Sequence, residues 1–231
     1  MDQIKLELQG VFGNDKQIAE AAWTSSTTYE GKELKNESDV SRVVNMLADS
    51  KHSVPFESVV FRFWMKIPIT TDRQVVTHRI ASHSGMSGRY RTMPDEFLEM
   101  PMDVLDILYK GLGTVQSLFF EQSYQKLAQE ANWMYRELLT ELKEVEQKGI
   151  LTNTEYKRAR EFYRGILPQN NMTERVTVIN LRSFANFVKL RDKPEAQPEI
   201  RYLAQLMLDA VKASNTCPIA LAALERNNWS I

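Results

Sequence analysis

Residues 59–66 of the chain read Val-Val-Phe-Arg-Phe-Trp-Met-Lys, and this stretch decides the fold class. Val59, Phe61, Phe63 and Met65 alternate with the other four side chains, which is the period of a β-strand. Because both sets contain large apolar groups, the stretch predicts a central strand whose two faces are both covered.

Two other segments predict strands. Residues 4–11 alternate between apolar and polar side chains and are closed by Gly10 and Gly13, which indicates a half-buried strand. Residues 174–179 read Glu-Arg-Val-Thr-Val-Ile, and the β-branched residues in this run favour a strand.

Helices account for most of the remaining chain. A drifting apolar stripe predicts a long helix over residues 115–148 that ends at Gly149. A second helix over residues 152–167, capped by Asn153 or Thr154, completes a helical hairpin. Shorter helices are predicted after Asn14 or Asp15, after Ser38 or Asp39, from Thr70 or Thr71 to about Arg79, and over residues 180–190, 194–213 and 218–225. Polar composition predicts loops over residues 25–35, 82–90 and 91–101.

Strands and helices do not alternate regularly along the chain, which favours an α+β fold over a doubly wound parallel sheet. No low-complexity run or linker separates two parts, so the sequence predicts one domain over residues 1–231. The two usual glycine-rich phosphate loops are absent from the sequence.

The composition is that of an ordinary globular protein, with 43% hydrophobic and 26% charged residues. A net charge of -1 argues against a general nucleic-acid-binding protein. The only cysteine, Cys217, excludes an intramolecular disulfide. No run approaches the roughly 20 apolar residues of a membrane span, and the first residues do not resemble a signal peptide. We therefore expect a cytoplasmic protein without membrane or nucleic-acid partners.

Residues 73–90 read Arg-Gln-Val-Val-Thr-His-Arg-Ile-Ala-Ser-His-Ser-Gly-Met-Ser-Gly-Arg-Tyr. Three arginines, three serines and two glycines occur here without a single acidic residue. Arginine matches a phosphate with a planar set of donors, and serine hydroxyls and glycine amides complete such sites. The segment predicts an anion site, although a solvated serine-rich loop is the simpler alternative.

All three histidines, His52, His78 and His83, lie within 32 residues and flank the predicted central strand. Each could be structural, and no carboxylate is suitably spaced to complete a metal site, so we predict none. In the C-terminal third, Asn186 lies four residues after Arg182, so the two share a helix face. Asn180 and Asn186, which flank Arg182, could together recognise an amide-bearing ring. Alternatively, the arginines of this part of the chain could simply be surface residues at helix ends.

These residues carry a resemblance. The pattern His78-Arg79-x2-Ser82-x4-Ser87-x-Arg89-Tyr90 resembles the Arg-His-Arg-x7-Ser-x-Arg signature of flavin-dependent thymidylate synthases. Three further elements resemble that family in the same order: His52-x2-Pro55-Phe56-Glu57, Arg164-x2-Leu167-Pro168, and Asn180-x-Arg182-Ser183-x2-Asn186-Phe187-x2-Leu190-Arg191. The similarity extends over about residues 4–213.

The resemblance implies an α+β fold in which a central, mostly antiparallel sheet is flanked by long helices. It implies an enzyme, a methyltransferase that converts dUMP to dTMP. Methylenetetrahydrofolate would supply the carbon, and FAD, reduced by NADPH, would carry the hydride. The family resemblance also implies a homotetramer with active sites at subunit interfaces.

The resemblance assigns site residues position by position. The residues expected to contact FAD are His52, Glu57, His78, Arg79, Ile80, Asn180, Arg182 and Asn186, together with Ser25. The residues expected to hold dUMP are Gln74, Ser87, Gly88, Arg89, Arg164 and Arg191. Arg191 would face the pyrimidine and stabilise negative charge that develops on the ring, which makes it the expected catalytic residue.

The chain departs from the family pattern at Thr77, where the motif has arginine, and at Gly85, where glutamate is usual. Ser84 replaces a frequent asparagine. Such changes are typical of a divergent member, for example a viral one. Alternatives on the same scaffold are a pyrimidine nucleotide hydroxymethylase, another altered-substrate enzyme, and a silent flavin- or nucleotide-binding protein.

Overall fold

The predicted central strand is present in the computed structural model, which describes residues 1–230. The strands are β1 (Lys5–Phe12), β2 (Val60–Pro68), β3 (Ser82–Gly85) and β4 (Met172–Asn180). They form one antiparallel sheet in the order β1-β2-β4-β3, so β2 lies inside the sheet.

The two sides of β2 differ. Phe61, Phe63 and Met65 are fully buried, and the two phenylalanine rings lie 5.4 and 6.1 Å from the ring of Phe184. On the opposite side Arg62 is exposed and its neighbours are half-buried. The central position is confirmed, but the prediction that both faces are covered is correct for one face only.

Helices supply most of the described structure. They are α1 (Asp15–Trp23), α2 (Tyr29–Glu33), α3 (Glu37–Asp49), α4 (Ile69–Val75), α5 (Met102–Leu112), α6 (Thr114–Gln147), α7 (Asn153–Tyr163), α8 (Leu181–Arg191), α9 (Pro198–Ser214) and α10 (Pro218–Arg226). Short 3-10 helices cover Val54–Ser58 and Arg164–Ile166. The α+β class and the long helical hairpin are confirmed.

Two predicted helix caps are wrong by a few residues. Asn36, and not Ser38 or Asp39, caps α3, because Asp39 lies one turn further on and accepts the backbone N–H of Asn36. Thr152 forms the same reciprocal arrangement with Glu155 at the start of α7. In both cases the acidic residue is the second half of a capping box.

Three boundaries also differ from the prediction. Residues 25–35 contain the short helix α2, which the sequence does not predict. None of its side chains is buried, so it has no apolar stripe that could reveal a helix. Helix α4 ends at Val75 instead of continuing to about Arg79. The last long helix begins at Pro198, which suits a first helical position, and not at residue 194.

The predicted loop over residues 82–90 contains strand β3. His83 Nδ1 lies 3.1 Å from the hydroxyl of Thr177 on β4, and the Met86 N–H donates to the carbonyl of Glu174 over 2.8 Å. These partners lie about 90 residues away in sequence, so a serine- and glycine-rich segment becomes a strand through long-range pairing.

The described chain divides into two compact units. One contains Met1–Gln3, Ile67–Asp72 and Gly85–Glu174, and the other contains Ile4–Lys66, Arg73–Ser84 and Arg175–Ile231. We call the first the hairpin unit, because it contains α6 and α7, and the second the sheet unit. A single domain over residues 1–231 remains a prediction. Among the described helices, none combines the length and the apolarity that crossing a bilayer requires.

Candidate functional site

In the sheet unit, Arg191 lies at the end of α8 and contacts the segment that follows α4. Its Nε donates to His78 Nε2 over 3.0 Å, its Nη2 to the Thr77 hydroxyl over 3.3 Å, and its Nη1 to Gln74 Oε1 over 3.5 Å. Gln74 also donates to Gln197 Oε1 over 2.6 Å, which fixes the amide orientation. The predicted residues Gln74, His78 and Arg191 are therefore neighbours. We call these three and Thr77 the Arg191 cluster.

The imidazole of His78 acts as a neutral acceptor. Burial, followed by the positive charge of Arg191 and then by His83, lowers the pKa of His78 from 6.5 to about 4. At neutral pH its Nε2 therefore carries a free lone pair toward Arg191. The ring also packs edge-on against Phe187 at a centroid distance of 4.8 Å. All three acceptors around Arg191 are uncharged, so they orient the guanidinium without cancelling its charge.

A cavity of about 570 Å³ adjoins the Arg191 cluster. Its lining residues are Thr77, His78, Arg79, Ile80, Arg182, Ser183, Asn186, Lys189, Leu190, Arg191 and Trp229. Four of these residues are cationic and none is acidic, which makes the cavity attractive to an anion. The hydroxyl oxygen of Ser183 is buried and has no hydrogen-bond partner, as expected of a group that a ligand would satisfy. We call this space the cationic cavity.

Most of the residues predicted to contact FAD lie at this cavity or beside it. His78, Arg79, Ile80, Arg182 and Asn186 line it. Two others, Glu57 and Asn180, accept hydrogen bonds from lining residues. Glu57 accepts from Arg182 over 2.6 Å, and the Asn180 side chain caps α8 by accepting the Ser183 N–H over 2.9 Å.

Two other predicted FAD contacts neither line the cavity nor form a side-chain hydrogen bond with a lining residue in the described part of the chain. The Ser25 hydroxyl donates to the carbonyl of Ala22 at the end of α1, over 3.0 Å. His52 lies after α3 and is exposed, and its backbone N–H donates to the backbone carbonyl of Leu47. The assignments of Ser25 and His52 therefore stay predictions without support from this cavity.

In the hairpin unit, four of the residues predicted to hold dUMP lie together. Gly88 is buried against Arg164, and a Cβ at this position would lie 2.8 Å from Arg164 Cδ and 3.3 Å from the sulfur of Met93. The backbone N–H of Arg89 donates to the Ser87 hydroxyl over 3.3 Å. Only glycine allows the loop to approach Arg164 this closely without a shift of the neighbouring side chains. We call Ser87, Gly88, Arg89 and Arg164 the Gly88 cluster.

A carboxylate accompanies this cluster. Arg89 Nε lies 2.6 Å from Glu161 Oε1 on α7, with the Arg89 side chain 56% exposed and that of Glu161 29% exposed. The guanidinium carbon of Arg89 also lies 5.7 Å from the centre of the Tyr90 ring. Arg89 is therefore already held in place by an acidic partner.

Sequence reasoning missed several cavity residues. Arg182, Asn186 and Lys189 are spaced i, i+4, i+7, so helical periodicity alone places Lys189 on the predicted face. At Thr77 the sequence shows only that the motif's arginine is missing, whereas in the structure the Thr77 hydroxyl accepts a hydrogen bond from Arg191. Trp229 gave no sequence signal, because it reaches the cavity through the turn after α10, where its φ is 56°.

Cys217 is excluded as a reactive group. The residue is fully buried at the start of α10, and burial, together with the neighbouring Asp15, raises the pKa of its thiol to about 12. A thiol with this pKa is not ionised near neutral pH and is therefore a poor nucleophile.

Comparison with known proteins adds to this geometry. The sequence model of the family described as "Thymidylate synthase complementing protein" matches residues 8–218. The flavin-dependent thymidylate synthase of Thermus thermophilus is 33% identical over 230 residues, covering 98% of this chain and 77% of that protein. The one from Thermotoga neapolitana is 33% identical over 204 residues, covering 88% of this chain and 83% of that protein.

A solved structure shares the fold. The crystal structure of the UMP/dUMP methylase PolB from Streptomyces cacaoi, bound with 5-Br dUMP, superposes with a TM-score of 0.76 at 23% identity. The match covers 96% of this chain and 95% of that one. Taken with the match over residues 8–218, these similarities show that the chain belongs to the family of flavin-dependent thymidylate synthases and is a methyltransferase enzyme.

Proposed function

We propose that the protein catalyses the reductive methylation of dUMP to dTMP, with methylenetetrahydrofolate as carbon donor and with FAD reduced by NADPH. One observation carries the proposal. Arg191 is held by neutral acceptors at the edge of a cationic cavity, so its charge is available to a ring that becomes negative during the reaction.

The residues around the cationic cavity fit a flavin cofactor. Arg79, Arg182 and Lys189 suit the pyrophosphate, while Asn186 and the unpartnered hydroxyl of Ser183 suit the polar edge of a flavin ring. When bound, the flavin would supply the hydride that converts the transferred methylene group into a methyl group.

The Gly88 cluster fits the phosphate of dUMP. Arg89 and Arg164 offer guanidinium donors, and the close approach at Gly88 brings the backbone of this loop beside Arg164. Ser87 would bind in the same subsite and not act as a nucleophile. A serine nucleophile needs a base within hydrogen-bond reach, and the hydroxyl of Ser87 instead accepts the N–H of Arg89.

The residues then have a limited task. A carbon–carbon bond forms between the pyrimidine and the methylene carbon of the folate, the bonds from that carbon to the folate nitrogens break so that tetrahydrofolate leaves, and the ring loses a proton. A hydride, which the flavin reduced by NADPH would supply when bound, completes the methyl group. Arg191 stabilises the negative charge on the ring, while the other arginines fix the position of the two anionic ligands. No enzyme-bound covalent intermediate on cysteine is required, which agrees with the burial of Cys217.

The test is the mass of the product. Purified protein is incubated with dUMP, methylenetetrahydrofolate and NADPH, with reactions lacking each co-substrate as controls. We expect a product heavier than dUMP by one CH₂ group that co-elutes with dTMP. A product heavier by CH₂O would identify a hydroxymethylase, and binding of dCMP but not dUMP would contradict the thymidylate assignment.

Cofactor and assembly are tested separately. We expect flavin absorption in the purified protein, and FAD should quench the fluorescence of Trp229, since this residue lines the cationic cavity. The Trp229→Phe variant, which retains three other tryptophans, is the control for this signal. We also propose a homotetramer with active sites at subunit interfaces. An active monomer in sedimentation experiments would contradict that assembly.

A further inference from the structure

Thr77 lies just beyond α4, and its hydroxyl makes two hydrogen bonds. It donates to the carbonyl of Gln74 over 2.7 Å and accepts from Arg191 Nη2 over 3.3 Å. A hydroxyl has one proton, so the bond to Gln74 commits that proton to the carbonyl and leaves the lone pairs toward Arg191. The orientation of this acceptor is therefore set by the backbone of the preceding turn.

The three acceptors of the Arg191 cluster each engage a different nitrogen of the guanidinium. A planar group held at Nε, Nη1 and Nη2 can neither slide nor rotate about its long axis without breaking a contact. The bond from Nη1 to Gln74 is the longest, at 3.5 Å. Without Thr77, this long contact would be the main restraint on the outer end of the side chain.

The chemical type of Thr77 matters as much as its position. A hydroxyl gives Arg191 an acceptor, whereas an arginine at residue 77 would place a second cation beside it. A carboxylate would orient Arg191 but would also neutralise it, as Glu161 does for Arg89 in the Gly88 cluster. A neutral hydroxyl orients the guanidinium and leaves its positive charge available to a ligand.

We propose that Thr77 is a positioning residue, whose hydroxyl fixes the orientation of Arg191 toward the reacting ring. This inference rests on the proposed function, in which Arg191 stabilises charge on the pyrimidine. It gives Thr77 a role specific to this chain, because its resemblance to the family motif breaks at this residue.

The experiment is a double-mutant cycle between residues 77 and 191. Thr77→Val removes the hydroxyl while nearly keeping the shape, Thr77→Ser keeps the hydroxyl, and Arg191→Lys keeps the charge but loses the planar set of donors. We expect Thr77→Val to lower kcat about three- to tenfold, the effect of losing one ordinary hydrogen bond. At 3.3 Å the contact with Arg191 is too long for the full effect of a bond to a charged group. The KM for dUMP should change less than twofold.

Two results would support the inference together. Thr77→Ser should restore kcat to within twofold of the wild type, and Thr77→Val should have little effect in the Arg191→Lys background. Thr216→Val is the matched control, because the Thr216 hydroxyl also hydrogen-bonds within its own turn, to Ser214, and does not contact the Arg191 cluster. An equal loss of kcat in both backgrounds, or failure of serine to rescue, would overturn it.

A second measurement separates this inference from the proposed function. Thermal unfolding without ligands reports the contact itself. It is measured for the wild type, Thr77→Val, Arg191→Lys and the variant that carries both changes. We expect Thr77→Val to lower Tm by about 2 °C in the wild-type background and by clearly less with Arg191→Lys. If the wild type makes no dTMP while this coupling is present, the proposed function fails and the contact stands. Equal Tm losses in the two backgrounds would overturn the contact.

Discussion

Two clusters of the molecule hold their arginines in opposite ways. In the Arg191 cluster every acceptor on the guanidinium is neutral, whereas in the Gly88 cluster Arg89 is paired with the carboxylate of Glu161. An arginine with neutral partners keeps its charge for an event that creates negative charge. An arginine that is paired with a carboxylate is already oriented, but its donors and its charge are divided between that carboxylate and a ligand. The difference suggests chemistry at the first cluster and ground-state binding at the second.

The largest effect is expected from Arg191→Ala. Removing a charged donor that stabilises developing negative charge typically costs about 10²–10³ in rate, and we expect a loss of that size in kcat. Arg42→Ala, which removes an arginine from the exposed pair with Asp39, is the control. A comparable rise in KM with kcat preserved would assign Arg191 to binding and remove the distinction between the clusters.

Arg164→Ala should act on binding. The loss of a guanidinium contact to phosphate predicts dUMP binding weaker by about tenfold or more, measured by calorimetric titration. Arg158→Ala on the preceding helix, α7, is the matched control, because Arg158 is exposed and its guanidinium carbon lies 5.9 Å from the centre of the Phe162 ring. Unchanged dUMP affinity in a folded Arg164→Ala protein would contradict the phosphate assignment of the Gly88 cluster.

Glu161→Gln tests whether the carboxylate restrains Arg89. Since both side chains are partly exposed, their ion pair is weak and its loss should change stability little. We expect dUMP to bind about two- to fivefold more tightly, because Arg89 is released and the local potential becomes more positive. Glu137→Gln, on an exposed face of α6, should leave the affinity unchanged. Weaker binding in Glu161→Gln would mean that Glu161 orients Arg89 productively.

The last prediction concerns folding stability in acid, which depends on the protonation of His78. Its folded-state pKa is lowered to about 4, so between pH 6.5 and 4 the unfolded chain binds a proton that the folded chain excludes. Folding stability should therefore fall as pH is lowered through this window and gain nothing from His78 above it. Urea midpoints at pH 7 and pH 5 for wild type and His78→Gln measure this contribution. An equal acid sensitivity in both proteins would contradict a neutral, restrained His78.

The fold and the site were predictable from sequence to different depths. Periodicity over residues 59–66 and 115–148 identified the central strand and the long helix, because burial along one face imposes a regular pattern. Strand β3 was not predicted, because its partners on β4 lie far away in sequence. Similarly, no local signal shows that Thr77 faces Arg191 or that Glu161 pairs with Arg89, because these contacts join distant segments of the chain.

The four cations of the cationic cavity also determine what competes with its intended ligand. Charge alone does not distinguish a cofactor from inorganic phosphate or sulfate, so any small anion present at high concentration occupies the same potential. Affinities measured in phosphate buffer should therefore be weaker than those measured at the same ionic strength with chloride, because a multivalent anion is attracted more strongly than a monovalent one. Selectivity at such a place has to come from the uncharged members of its lining, Asn186, Ser183 and Trp229, which can recognise a ring and not an inorganic ion.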